Sequence, residues 1–224
     1  MRKLYTFMMG AAMSLLSGFF ACDRAQGDFE LGQKYSVGDG VGQDYAKAAK
    51  HYRRAAERGH AGAQVELGAA YYLGLGVEED FASAVEWFRR AAEQGNADGH
   101  WRLGLCYWIG RGVEQDYAEA AEHYRLAAEQ GLAGAQFQLG VAYSLGQGVQ
   151  GDDAKAAKWY RLAADQGESG AQFMLGMAYE LGNGLAQDNA EAAKWYRLAA
   201  EQGHDGAREA LRGLEAPGQK PDAP

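Results

Sequence analysis

The sequence predicts an all-α solenoid built from antiparallel helix pairs, 36 residues to a pair. Three observations predict it. Leucine–glycine pairs recur at a fixed interval, as Leu31-Gly32, Leu67-Gly68, Leu103-Gly104, Leu139-Gly140 and Leu175-Gly176, with no insertion between them. A period of that length marks stacked supersecondary units rather than one globular core. Each pair is followed four residues on by a tyrosine and then by Gly-x-Gly, from Gly38-Asp39-Gly40 to Gly182-Asn183-Gly184. Each unit closes on Ala-Ala and a glycine at position 59, 95, 131, 167 or 203.

The first helix of a unit, helix A, carries the Leu-Gly pair. Leu67 and Tyr71 are four apart and share one helical face. Gly74 falls where that helix should end, in a left-handed cap that glycine adopts without strain. Asp80, with Asp44, Asp116, Asp152 and Asp188 in the same column, is placed to cap the second helix, helix B, by accepting from its free backbone N–H groups. Glu119 and Glu191 follow their aspartates by three residues, a capping-box-like spacing. Within helix B, Ala91-Ala92 and their equivalents let the two helices approach closely, while Tyr71 and Phe88 fill the remaining volume. Gly95 is expected to end helix B as Gly74 ends helix A. Most of the 32 glycines stand in fixed columns, so the chain reads as ordered rather than low in complexity.

Residues 1–21 stand apart from the period. Met1-Arg2-Lys3 precedes an uncharged, largely apolar stretch from Leu4 to Ala21, the pattern of an export signal peptide. Phe19-Phe20-Ala21-Cys22 resembles the lipobox of bacterial lipoproteins, with Phe19 where leucine is usual, and the resemblance implies lipidation of Cys22. Asp23 resembles the residue that retains some such proteins at the inner membrane. An uncleaved anchor, for which about 18 apolar residues is the lower limit, and ordinary secretion are the alternatives. All three place the repeats outside the cytoplasm, the first at the periplasmic face of a bacterial membrane. Residues 22–26 read as a short membrane tether reaching no more than ~17 Å. Residues 27–214 read as five repeats plus a C-terminal capping half-repeat, in which Arg212 replaces the glycine, and 215–224 as a disordered tail. Without Arg2 and Lys3 the chain has 20 basic against 30 acidic residues. A balance near −10 argues against nucleic acid, which needs a basic face.

The column pattern, with Ala171, Leu175, Gly176, Tyr179, Gly182, Gly184, Asp188, Trp195, Tyr196, Ala199, Ala200 and Gly203 carrying it in the last full unit, resembles the Sel-one-like repeat, a relative of the tetratricopeptide repeat. Asp153 and Asn189 depart from it by replacing an aromatic, and Leu185 by replacing valine. The resemblance implies a right-handed superhelix serving as a scaffold or adaptor for protein–protein interaction in the cell envelope. A periplasmic inhibitor or regulator of one sensor or enzyme is the alternative. Some cysteine-rich members have been associated with β-lactam binding or hydrolysis, but they carry a cysteine pair in each repeat that this chain lacks.

If helix A lines the concave surface, three columns face the groove. Phe29, Val65, Trp101, Phe137 and Phe173 form the first, and Gln33, Ala69, Leu105, Val141 and Met177 the second. Both are mostly apolar, as packing between successive A helices requires. The third, Ser36, Tyr72, Trp108, Ser144 and Glu180, varies most. Tyr72 and Trp108 there, with His100, Trp101, Arg102 and Arg111 nearby, form the predicted partner-binding set, because Trp, Tyr and Arg are enriched in binding hot spots. No cofactor, metal or catalytic residue is expected. The Gly-x-Gly turns precede no Lys-Ser/Thr, His51 and His123 lie two repeats apart, and Cys106 occupies a small-residue column as a buried hydrophobe.

Overall fold

The computed structural model describes residues 23–215, all of whose regular elements are helical. The described part of helix α1 is 23–37. It is followed by α2 (Tyr45–Glu57), α3 (Ala61–Leu73), α4 (Phe81–Glu93), α5 (Ala97–Ile109), α6 (Tyr117–Glu129), α7 (Ala133–Leu145), α8 (Asp153–Asp165), α9 (Ser169–Leu181), α10 (Asn189–Glu201) and α11 (Asp205–Glu215). The chain divides into two compact units between Gln115 and Asp116. The first contains α1–α5 and the second α6–α11. The signal peptide, Cys22 and residues 216–224 lie outside the described residues. Among those described, no helix is long and apolar enough to cross a membrane.

Two expected boundaries move. Residues 23–26, read as part of the tether, are helical and belong to α1. Ala25 is buried, and Gln26 donates to Glu30 and contacts the His60 ring at 2.9 Å. Glu215, assigned to the tail, is the last residue of α11 and pairs with Arg197 at 3.3 Å.

The core repeats with the sequence. Leu67, Leu103, Leu139 and Leu175 are buried, with the helix-B aromatics Phe88, Tyr160 and Tyr196 and the alanine pairs of the first four repeats. Leu31 is only half-buried. The glycine after each leucine has a steric purpose that the spacing does not disclose. A Cβ on Gly68 would stand 2.6 Å from the Phe88 ring, and one on Gly176 2.6 Å from the Tyr196 ring. The helix-B ring therefore rests directly on the helix-A backbone.

All five cap aspartates stand at helix N-termini and accept from backbone N–H groups, Asp188 from Ala190 and Glu191 at 2.9 and 3.0 Å. The reciprocal half of the capping box is not made. The Asp188 N–H instead donates to the Tyr179 carbonyl at 2.9 Å, tying helix B to helix A across the turn, and Glu191 pairs with Lys194 at 2.5 Å. Gly74 is itself the left-handed cap of α3. Gly95 differs from expectation: it lies one residue beyond the cap, Gln94, and its N–H donates to Ala92 while that of Asn96 donates to Ala91. This is a Schellman closure.

A polar ladder also recurs. The buried Gln64 donates to the Ala56 carbonyl of the preceding helix B at 3.2 Å and accepts from Gln94 at 2.7 Å. Gln136 with Gln166 and Gln172 with Gln202 repeat this at 2.8 Å. In the first repeat the same position is filled by Asp28, whose carboxylate only accepts. Asp28 takes one bond from Arg58 and contacts His51 at 3.0 Å. Burial opposes its ionisation, but the bonds from His51 and Arg58 outweigh it and hold the carboxyl below the usual range.

Cys106 is buried between α4 and α5, as expected. Burial pushes its thiol up to about 11. At neutral pH this leaves roughly 100-fold less thiolate than an unperturbed cysteine has. Iodoacetamide should therefore label the native protein at least ~100-fold more slowly than the urea-unfolded chain, read by mass spectrometry. Equal rates would remove the burial assignment.

Candidate functional site

Every residue of the predicted partner-binding set lies in the first compact unit, and four of them, Tyr72, Arg111, Trp101 and Arg102, fall in two aromatic–cation clusters. Tyr72, next to last in α3, meets the ring of Phe81, the first residue of α4, edge-on at 5.3 Å. Arg111, exposed in the turn after α5, reaches back over both, 5.5 Å from the Tyr72 ring centre and 4.9 Å from that of Phe81. Its Nη1 donates to the Tyr72 hydroxyl at 3.3 Å. A cation held over two rings at an exposed site contributes about 0.5–1 kcal/mol per contact. The arrangement keeps a planar, five-donor group ordered at the surface.

The second cluster lies one turn or more earlier on α5. The Arg102 guanidinium stands 5.5 Å from the Trp101 ring and 5.9 Å from that of Phe88. Arg102 Nε and Trp101 Nε1 are both buried with no hydrogen-bond partner. Glu66, on α3, is within electrostatic range of Arg102. Burial pushes its carboxyl up and Arg102 pulls it back, while Asp98 raises it further.

His100 is half-buried in the column of Gln64, Gln136 and Gln172, so its position is that of the polar ladder. Trp108 is half-buried near the end of α5, and its carbonyl accepts from Gln115 at 2.8 Å, a bond that also ties Gln43 to Ser36 and Gln187 to Glu180. The third column does not face outward along its whole length. Glu180 turns inward to accept from the Tyr196 hydroxyl at 2.6 Å, and burial together with that carboxylate pushes the phenol's pKa up. Part of the column's variation therefore follows the helix-B partner rather than a ligand.

Phe81 and Glu66 were missed as members of these clusters. Phe81 has a readable signal, the aromatic that follows the cap aspartate in the first three repeats and is lost as Asp153 and Asn189 in the last two. Glu66 has none, being one carboxylate among many. No group of three or more metal-ligating side chains occurs among the described residues. Two histidines are helix caps: His60 Nδ1 accepts from Ala63 at 3.0 Å and His204 Nδ1 from Ala207 at 3.2 Å, each ring stacked on a phenylalanine.

Comparison with known proteins bears on the whole array. No curated protein shows a significant match. A Sel1 repeat protein from Oxalobacter formigenes is 34% identical, with a TM-score of 0.81, over 88% of this chain and 79% of that one. The protective antigen c5321 of uropathogenic Escherichia coli, described as displaying an SLR fold, is 40% identical with a TM-score of 0.79. It matches 87% of this chain, which spans only 43% of the antigen's length. The immunity protein PA5088 of Pseudomonas aeruginosa, at 24% identity and a TM-score of 0.57, shares the fold. The Sel1 repeat model matches residues 25–60, 61–96, 97–132, 133–168 and 169–204, unit after unit without a gap. With its leucines, glycines and cap aspartates performing the same task in each of those units, this all-α solenoid belongs to the Sel1 repeat family.

Proposed function

We propose that the chain is an exported, membrane-anchored scaffold of the bacterial envelope that captures protein segments on its first compact unit. Sel1 repeat proteins mediate protein–protein interaction and bind protein partners. The observation that supports this siting is the Tyr72–Phe81–Arg111 cluster: two rings and an exposed guanidinium, ordered at the surface, of the residue types that dominate binding energy. The test is photocrosslinking in cells from a photoreactive residue introduced at the exposed Ile109. A discrete adduct is expected. Trp108→Ala combined with Arg111→Ala should weaken its formation at least ~10-fold with the fold intact, and undiminished capture by a folded double variant overturns the siting. A partner that proves to be one enzyme or sensor held inactive would make the chain a regulator, with a signalling phenotype on deletion.

Anchoring through a lipid on Cys22 completes the proposal. The leader and Ala21-Cys22 support it, and because residues 23–26 are already helical the array would begin at the membrane surface. Incorporation of labelled palmitate should vanish in Cys22→Ser, and labelling that persists would remove the lipid anchor.

A further inference from the structure

A pocket of about 200 Å³ opens in the first unit between α2 and α3, lined among others by Tyr45, Tyr52, Glu66, Ala69, Leu73 and Arg102. It lies beside the Tyr72–Arg111 cluster in sequence but is distinct from it. Small-molecule sites usually span about 300–1,000 Å³, so this one has the capacity of a single side chain. Its rim is apolar and exposed: Leu73 is 59% accessible, and Tyr45 and Leu75 are exposed as well.

The polar groups narrow the occupant. Arg102 can only donate and ionised Glu66 can only accept. Both line the pocket, yet among the described residues they form no ion pair with each other, and Arg102 Nε is buried without an acceptor. The rings of Phe88 and Trp101 hold the guanidinium in place without using its donors. A bound carboxylate would meet Glu66, and a bound ammonium would meet Arg102. A peptide group offers a carbonyl to one and an N–H to the other and carries no charge. The repeat itself does not demand this pair. The equivalent pocket of the second unit, about 120 Å³, has Met174 at the position of Glu66 and Met177 at that of Ala69.

Resting on the reading that this unit captures protein segments, we propose that the pocket takes one aliphatic side chain of an extended segment, with the adjoining peptide group between Glu66 and Arg102. Three probes test it by NMR titration of the full chain: N-acetyl-leucine N-methylamide, the anionic N-acetyl-leucine and the cationic leucine N-methylamide. The neutral probe should bind with a dissociation constant on the order of 1 mM, shifting the resonances of Ala69, Leu73 and Arg102 Nε–H. Each charged probe should bind at least ~5-fold more weakly, and Arg102→Leu should weaken the neutral probe about 10-fold. Leu73→Ser, at an exposed position, should also weaken it and carries the test if Arg102→Leu does not fold. A tighter charged probe, equal binding of all three, or no shift at these residues overturns the proposal. Overturning it while the Ile109 adduct persists removes the pocket and leaves the scaffold reading standing.

Discussion

Alanine in place of Gly148 is expected to cost roughly 3–5 kcal/mol, the largest loss from any single added methyl group in the second unit. Two penalties combine. Gly148 has φ +72°, a left-handed conformation that costs a residue with a side chain about 1–2 kcal/mol. In addition, a Cβ there would overlap the Tyr117 carbonyl and stand 2.8 Å from the Ala118 nitrogen. Those are backbone atoms at the start of α6, which cannot rotate away as a side chain can. Gly40 separates the two effects. Its φ is +69°, but among the described residues nothing stands within 4 Å of an added Cβ. Gly40→Ala should therefore lose only the conformational part. Urea unfolding of both variants measures the difference, and midpoints that coincide would refute the close approach of the turn to the preceding helix.

Leu103→Ala should destabilise the first unit by about 2–5 kcal/mol. The side chain is 1% accessible and packs with Phe88, Val85 and Cys106 between α4 and α5. Its removal loses the transfer energy of three carbons and leaves a cavity that ridged helices cannot easily close. In a repeat array the loss falls mainly on the neighbouring interfaces, so hydrogen exchange should accelerate first in α4 and α5. Leu31→Ala, at the half-buried terminal equivalent, should lose distinctly less. If Leu103→Ala melted with the parent, the core assignment would fail.

These two substitutions also mark what a sequence can disclose. Leu103 was legible as core, and Asp80 and Asp188 as caps, because each meets a requirement set by residues within one or two helical turns. The cap of a helix is satisfied by its own first N–H groups, so spacing alone identifies it. The purpose of Gly68 was not legible, since the reason for it is a ring twenty residues later that lies on the same backbone. The capping box failed similarly. Glu191 has the right spacing from Asp188, but the N–H it would need is already given to Tyr179, an acceptor on another helix. Of the candidate site, Tyr72 and Arg111 could be picked out as departures from their columns. That Phe81 joins them, and that Glu66 faces the pocket of Arg102, depends on how adjacent repeats stack, which no single column records.

The second glycine of each turn has a consequence for how such a chain can change. Gly76 meets the backbone of Tyr45, Gly112 that of Phe81, Gly148 that of Tyr117 and Gly184 that of Asp153. Three kinds of side chain, tyrosine twice, stand at the same joint, and the close approach is to their backbone. The seam is main chain against main chain, blind to the identity of the residues it joins. A repeat can therefore be duplicated and fitted beside any other without redesigning its coupling. The residue at the seam, tyrosine in one copy and aspartate in another, is then free to diverge toward whatever the surface must recognise.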